Sequence, residues 1–564
     1  MIWWRKNRSS RGREIAPEDI FLDSSNLPKL NALQLEGRVE RPVSSVAILL
    51  VGIVFAIAMT AFAAQAFNLQ VVQGGRYADI SRNNRLDRSV LFATRGIVTD
   101  RNGAELAWNE LDTDPDATTT APYPLRHYIR QTGFANLLGF VRYPKTDSSG
   151  TWWREEYSGV IGIEGVFNGM LAGTNGSSMA ETDARGNLVR EDIVDPPQDG
   201  STLKLSIDAD LQTELARRLE THADEQGFQG GAAAIMDVRT GEIIALVSFP
   251  EYDNTAFADG DSAIVAAANS DPRTPLLNRA VGGLYAPGSI VKPMFAAAAL
   301  NEHLIDPSTK ILSTGSISIP NPYDPSNPTI FKDWKAHGWV DMRRAIAVSS
   351  DVYFYAIGGG FEGQKGLGIA KIDEYAKKFG FSAPTGFILG NEPDGTIPTP
   401  AWKQKVFEED WRLGDTYHTA IGQYGFQVTP LQVVRYIASI ANGGTLMTPQ
   451  IVAGAKPEGK SVSVPDSFLQ VVREGMRAGV TDGGTAAAMN MPGIDIAGKT
   501  GTAQVGTHNQ YMNSWAIGFW PYEHPRYAFA AVLEKGPSTS LSGASPAMAP
   551  FFYWLRDNKP QYTK

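Results

Sequence analysis

The chain of 564 residues contains no cysteine, which excludes disulfides, thiolate nucleophiles and cysteine-ligated zinc together. It also lacks a basic stripe. Lys and Arg number 51 against 60 Asp and Glu, for a formal net charge of −9. Mild acidity, without basic residues interleaved with aromatics, argues against a nucleic-acid partner. No G-x-S-x-G elbow is present, so a hydrolase-type triad has no support. There is no internal repeat, and the one low-complexity stretch is the Pro/Asn-rich run from Pro320 to Pro328. With 43% hydrophobic residues, the chain is too long for one ordinary domain.

One long uncharged run stands out. Val43 to Ala64 carry no charge, and the uncharged stretch extends from Pro42 to Gly75. About 20 apolar residues cross a bilayer as a helix, so a single retained anchor over residues 43–66 is expected, after a leader of residues 1–42. The rival is a cleaved signal peptide with Ala64-Gln65-Ala66 as its processing site, but signal h-regions are shorter and follow shorter leaders. Arg5, Lys6, Arg8, Arg11, Arg13, Lys29, Arg38 and Arg41 precede the run, while Arg76, Arg82 and Arg85 follow it closely. The positive-inside rule therefore leans towards a cytoplasmic N-terminus without deciding it.

Beyond the anchor, residues 67–225 are rich in polar turns and short strand-like runs. The landmarks are Arg95-Gly96-Ile97-Val98-Thr99-Asp100-Arg101-Asn102-Gly103, Gly162-Ile163-Glu164-Gly165 and Asp183-Ala184-Arg185-Gly186. Asn102-Gly103 is a hairpin-turn signal, and turn chemistry explains these residues without a ligand. Leu203 to Ile207 reads as a strand, followed by a helix from Asp208 to Leu219 capped by Asp208 or Asp210. Ala232 to Val238 and Ile243 to Phe249 form a hairpin whose arms are almost wholly apolar, so both faces of its sheet should be covered. Further strands are expected at Ser514 to Trp520 and Tyr527 to Leu533. Strands at both ends with helices between them make an α+β or mixed fold.

The chemistry-bearing pattern is Ser289-Ile-Val-Lys292. Serine must lose its proton as it attacks, and a lysine three residues on along a helix shares its face. A second S-x-x-K, Ser201-Thr202-Leu203-Lys204, serves as a control, because on a strand residues three apart point to opposite faces. Around Ser289 the turn Ala286-Pro287-Gly288 leads into the Ala-rich stretch Pro293 to Leu300, which favours a helix. Ser289 is therefore expected at a helix N-terminus with Lys292 one turn inside. Taken alone, Ser289 is an ordinary N-cap. Two later motifs change that weighing: Ser349-Ser350-Asp351 and Lys499-Thr500-Gly501-Thr502, which complete a known three-part signature.

With these motifs in order, the chain resembles the class B penicillin-binding proteins, the membrane-anchored D,D-transpeptidases of bacterial cell-wall synthesis. The resemblance extends to the Arg95–Gly103 block, the Ala234-Ile-Met-Asp-Val-Arg-Thr-Gly-Glu-Ile243 hairpin, Val428-Thr429-Pro430-Leu431-Gln432 and Ala441-Asn442-Gly443-Gly444. Gly414-Asp415-Thr416, Ile421-Gly422-Gln423 and the acidic Asp351 fit the elongation (type 2) class better than the division class. One departure is visible: Tyr424 precedes Gly425, where elongation enzymes usually have Gly followed by an aromatic.

The resemblance implies a β-rich pedestal (dimerisation-type) domain over 67–225 and a transpeptidase domain over 226–560 with a mainly antiparallel sheet covered by helices. It implies Ser289 as the nucleophile acylated by the D-Ala-D-Ala stem peptide or by β-lactams, and Lys292 as general base. Ser349 would relay the proton, and Asp351 would orient the site by hydrogen bonds. Lys499, Thr500 and Thr502 would bind the substrate carboxylate, with Gly501 leaving room for the peptide. The backbone N–H groups of Ser289 and Thr502 would form the oxyanion hole. It implies no cofactor or metal. The expected partners are the membrane, a SEDS-type polytopic glycosyltransferase and no nucleic acid, with the catalytic domain outside the bacterial inner membrane.

Taken singly, Ser349 and Asp351 could merely cap the following helix, and Lys499–Thr502 could be an ordinary Thr-rich strand. Asp333 and His337 read as a polar loop, since structural zinc takes four ligands. A membrane-anchored β-lactamase would need a deacylating glutamate motif that is not evident. A β-lactam sensor would need a cytoplasmic effector larger than the leader, and a bifunctional enzyme would need a glycosyltransferase domain.

Overall fold

Two adjacent strands of almost wholly apolar sequence need cover on both faces, and the fold supplies it. The computed structural model describes residues 44–83, 86–111, 121–182, 188–321 and 324–564. Its central sheet has five strands: β1 (Gly230–Asp237), β2 (Ile243–Phe249), β3 (Ala497–Val505), β4 (Tyr511–Trp520) and β5 (Tyr527–Pro537). They lie in the order β2-β1-β5-β4-β3, every neighbouring pair antiparallel.

Side chains alternate across a strand, and this sheet sends each set into a separate core. Ala233, Ile235, Val247 and Leu533 pack with Leu211, Leu215 and Leu219 of the Ala209–Gln226 helix and with Phe551, Phe552 and Leu555 of the Ala544–Asn558 helix. Ala232, Ala234, Met236 and Val532 face the other way, into the core built by the Lys292–Asn301 and Pro430–Ala441 helices. Both arms of the β1–β2 hairpin are buried throughout. The strands expected at 514–520 and 527–533 are each extended, to Tyr511–Trp520 and Tyr527–Pro537.

The chain divides into two compact units, residues 1–87 with 182–187, and residues 88–181 with 188–564. In the first, the Ser45–Phe67 helix is capped by the Ser44 hydroxyl, which accepts from Ala47 N–H at 3.2 Å, and none of its residues is buried. It runs unbroken through Ala64-Gln65-Ala66 and continues as a π-helical turn, Asn68–Val72. The whole is long and apolar enough to cross a membrane. The expected leader lies outside the described residues, as does the landmark Asp183-Ala184-Arg185-Gly186.

The second unit begins with short strands. Leu203–Lys204, Val98–Thr99, Glu105–Glu110 and Leu125–Tyr128 form a four-stranded sheet in that spatial order. Asp100 shapes the turn at Asn102-Gly103 by accepting the N–H groups of Asn102 at 2.7 Å and Ala104 at 2.8 Å. Glu164 of the Gly-Ile-Glu-Gly landmark is wholly buried between Arg95 at 2.6 Å and Arg126 at 2.7 Å. Burial of a charge is tolerable only with such pairing, so these motifs are structural.

Two expectations near residue 205 need correction. The strand expected over 203–207 ends at Lys204, because Ser206 turns its N–H to the Ile451 carbonyl and its hydroxyl to the Ile243 carbonyl. The following helix runs beyond Leu219 to Gln226, capped by Asp208 and closed by Gly227 at φ +76°. Ser201 lies before the short strand, and both it and Lys204 are exposed.

Candidate active site

The Ser289 segment is shaped by a proline. In an α-helix the Ser289 carbonyl would accept from residue 293, but Pro293 has no N–H. It accepts from Lys292 N–H instead, so Gly288–Val291 is a 3₁₀ turn and the α-helix starts at Lys292. This corrects the expectation of Lys292 one turn inside an α-helix. The substitution serves the pair, because residues i and i+3 of a 3₁₀ turn eclipse one another.

The second motif is a break between helices. Met342–Val348 ends at Ser349, which adopts a left-handed conformation at φ +58°, ψ +40°. A non-glycine residue held there stores local strain, a frequent property of functional sites. The next helix, Asp351–Gly359, is capped by the Ser350 hydroxyl. Capping therefore falls to Ser350, leaving the Ser349 hydroxyl and the Asp351 carboxylate for other partners.

Those partners converge on Lys292. Its Nζ, fully buried, lies 2.6 Å from Asp351 Oδ1 and donates to the Ser349 carbonyl at 2.8 Å and the Ser349 hydroxyl at 3.2 Å. Among the described residues none hydrogen-bonds the Ser289 hydroxyl, which is half-buried. Lys499 is also buried, with its ammonium donating to the Thr500 carbonyl at 2.7 Å. Burial holds the Lys499 pKa well below the usual lysine value, the Lys292 charge pushes it the same way, and Asp351 opposes both.

Strand β3, which carries Lys499 to Thr502, is the edge of the sheet. It packs against the Ser289 turn through glycines. A Cβ on Gly501 would come within 2.8 Å of the Pro287 carbonyl and of Ile290 Cγ2. Gly501 thus makes room for the chain's own nucleophile turn. Thr500 donates to the Thr485 hydroxyl at 2.6 Å, and Thr502 is exposed.

The loop of Asp333 and His337, read from sequence only as polar, lies beside the Ser349 turn. Asp333 Oδ2 accepts from the Ser350 hydroxyl at 2.9 Å, Val352 N–H at 3.1 Å and the Ser313 hydroxyl at 3.2 Å, bracing the Ser349 turn. His337 lies 3.6 Å from Asp333. Among the described residues, no three His, Asp or Glu side chains gather to hold a metal. No local pattern reveals this bracing by Asp333, because Ser350, Val352 and Ser313 are 17 to 20 residues away.

Gln423 had a signal, being part of Ile421-Gly422-Gln423, and its Nε2 donates to the Thr502 carbonyl at 3.4 Å. The inverted Tyr424-Gly425 order also has a cause. Tyr424, at φ +65°, packs its ring with Trp402, Phe407, Trp411 and His418. A Cβ on Gly425 would come within 2.5 Å of the Trp402 ring. Asp415 of Gly414-Asp415-Thr416 supports this cluster by accepting from Lys403 at 2.8 Å and from Arg412 N–H at 2.7 Å.

Comparison with known proteins agrees with this geometry. Residues 231–553, which include all three motifs, match the penicillin-binding protein transpeptidase domain, and residues 114–205 match the penicillin-binding protein dimerisation domain. The chain belongs to the penicillin-binding transpeptidase family. One relative of this penicillin-binding chain is the peptidoglycan D,D-transpeptidase MrdA of Haemophilus influenzae, 31% identical over 481 residues, covering 78% of this chain and 71% of the relative. Among solved structures, Pseudomonas aeruginosa PBP2 in complex with WCK 5153 is similar with a TM-score of 0.68 and 29% identity, over 85% of this chain and 100% of the other. The Helicobacter pylori complex of PBP2 with MreC is similar with a TM-score of 0.69 and 27% identity, over 84% and 99%. The mixed α+β fold and antiparallel sheet expected of a penicillin-binding protein are those observed.

Proposed function

We infer that this protein is a peptidoglycan D,D-transpeptidase of the elongation class. The observation that carries the reading is the buried Lys292 Nζ, in contact with Ser349 and Asp351 and one 3₁₀ turn from Ser289. Ser289 Oγ attacks the carbonyl of the penultimate D-Ala, and the terminal D-Ala leaves. The amine of a second stem peptide then attacks the ester and releases Ser289. Lys292 in its neutral amine form takes the serine proton, and the Ser349 hydroxyl passes that proton on towards the leaving amine. Asp351 holds Lys292 in place. Lys499, Thr500 and Thr502 bind the terminal carboxylate along the open edge of β3. The backbone N–H groups of Ser289 and Thr502 stabilise the oxyanion, the usual large electrostatic contribution in acyl transfer. β-Lactams acylate the same serine.

Labelling with a fluorescent penicillin tests the reading. Ser289→Ala is expected to abolish the label and Ser201→Ala to leave it intact. A label that survives Ser289→Ala contradicts the assignment.

We also propose a single membrane anchor with a cytoplasmic N-terminus, supported by the apolar Ser45–Phe67 helix and the basic residues before it. The pedestal domain over 67–225 and the transpeptidase domain over 226–560 follow, and packing of the Ala209–Gln226 helix on the central sheet supports moving that boundary ahead of Ala209. A membrane-associated partner accompanies the enzyme. The similar PBP2 of Helicobacter pylori was solved with MreC, and a SEDS-type glycosyltransferase fits the exposed anchor. Co-purification of the full-length chain in detergent tests both, and recovery of neither protein contradicts the proposal.

A further inference from the structure

The turn that carries Ser289 is held by three other parts of the chain. Trp515 of β4 donates its indole N–H to the Ala286 carbonyl at 3.0 Å. Gly288 N–H donates to the Gly422 carbonyl at 2.9 Å. The third hold falls between the nucleophile and the lysine, where the Tyr436 hydroxyl donates to the Ile290 carbonyl at 2.7 Å. Tyr436 belongs to the Pro430–Ala441 helix, 146 residues further along the chain, and is wholly buried. Its ring packs against Phe379 at 5.9 Å and Phe381 at 5.5 Å between centroids, which fixes where the hydroxyl points.

The Ile290 carbonyl needs that donor. Its 3₁₀ partner would be residue 293, a proline without an N–H, and its α-helical partner would be the Met294 N–H. The α-helix starts only at Lys292, with Val291 as its N-cap, so the Ile290 carbonyl stands outside the ladder. The Met294 N–H donates to the Tyr436 oxygen instead. One phenol hydroxyl therefore replaces one helical bond, donating to its acceptor and accepting from its donor. Insertion of a side chain into the ladder opens a helix locally. Burial keeps the Tyr436 pKa well above the ordinary phenol value, against the opposing effect of the Met294 N–H, so the group stays a donor.

We propose that Tyr436 is a positioning residue for acylation, its inserted hydroxyl keeping the turn from Ser289 to Lys292 tight. The inference rests on the transpeptidase reading above. Three residues of 3₁₀ turn come back to the same side of the axis and advance about 6 Å. Three residues of α-helix advance about 4.5 Å and stop about 60° short. Removing the hydroxyl lets the Ile290 carbonyl and the Met294 N–H bond each other, which extends the α-helix back through Val291 and relaxes the turn. Ser289 then moves against Lys292, and a displacement of about 1 Å costs on the order of 10²-fold in rate.

Acylation of the full-length protein by benzylpenicillin, followed to saturation, separates binding from the bond-forming step. Tyr436→Phe, which removes only the hydroxyl, is expected to lower the limiting first-order rate on the order of 10²-fold. The apparent dissociation constant should stay the same, and Ser289 should still be labelled at the end point. Phe379→Leu loosens the packing around the same ring but leaves the hydroxyl, and is expected to keep the wild-type limiting rate despite a lower Tm. A wild-type limiting rate in Tyr436→Phe, or a loss confined to the dissociation constant, overturns the proposal. An equal loss of rate in Phe379→Leu also overturns it, because the rate would then follow packing and not the hydroxyl. Failure of benzylpenicillin to label Ser289 in the wild type would overturn the transpeptidase reading, and this proposal with it.

Discussion

Lys292 and Asp351 form a 2.6 Å ion pair in which the ammonium is wholly buried and the carboxylate is 17% exposed. An ammonium held in a low-dielectric site without its partner is costly, so the pair is the electrostatic centre of the catalytic cleft. Asp351→Asn keeps the shape and removes the charge. It is expected to cost about 2 kcal/mol in the wild type and much less in a Lys292→Met background, a coupling of about 1–3 kcal/mol. Unfolding measurements on the four proteins of this cycle provide the check, and additive costs would contradict the pairing.

Lys499 gives stability a pH dependence of known sign. Its folded-state pKa lies well below the ordinary lysine value, first because of burial and then because of Lys292. Between that lowered value and about 10.4 the unfolded chain binds the extra proton, so stability contributed by this group rises with pH. Lys499→Met is therefore expected to raise the Tm at pH 7 by more than at pH 10, while abolishing acylation. A gain that grows with pH would contradict this.

Glu251 acts in the opposite sense. Its carboxylate accepts Gly133 N–H at 2.7 Å and Ala135 N–H at 2.8 Å, joining the 131–136 segment to the end of β2. Burial raises its pKa to about 7, partly offset by those N–H groups, with Glu220 adding to the rise. A raised folded-state value means that stability is present below the unfolded pKa of about 4.3 and is lost as pH rises through about 7. Glu251→Gln is expected to flatten the fall in Tm between pH 5 and about 8. An unchanged slope would remove Glu251 as its source.

Gly501→Ala tests the contact between strand and nucleophile turn. The added methyl would press on the Pro287 carbonyl and Ile290, moving Ser289 relative to Thr502. Displacement of about 1 Å in such a site costs on the order of 10²-fold in rate. The second-order rate constant for acylation by benzylpenicillin is expected to fall by that order, with a loss of stability of about 1–3 kcal/mol from the overpacked contact. Wild-type acylation by this variant would show that the contact does not position the serine.

Much of this was legible in the residues. The apolar runs of β1 and β2 announced a sheet covered on both faces, and the three motifs marked Ser289, Ser349 and Lys499. The 3₁₀ turn was less legible, because the helix-favouring stretch from Pro293 to Leu300 does not itself show that the missing Pro293 N–H leaves the Ser289 carbonyl to Lys292. That Ser350, and not Ser349, caps its helix follows from the left-handed twist at Ser349, which no local preference of serine announces. Asp333 was visible only as part of a polar loop, because its bracing role exists only once that loop, 17 residues upstream, folds back onto the Ser349 turn.

The central claim is that Ser289 is the acylated nucleophile. Tandem mass spectrometry of the protein digested after reaction with benzylpenicillin locates the covalent group directly. The predicted result is one penicilloyl group, on Ser289 and on no other serine. A group found on Ser201, Ser349 or any residue other than Ser289 would contradict it.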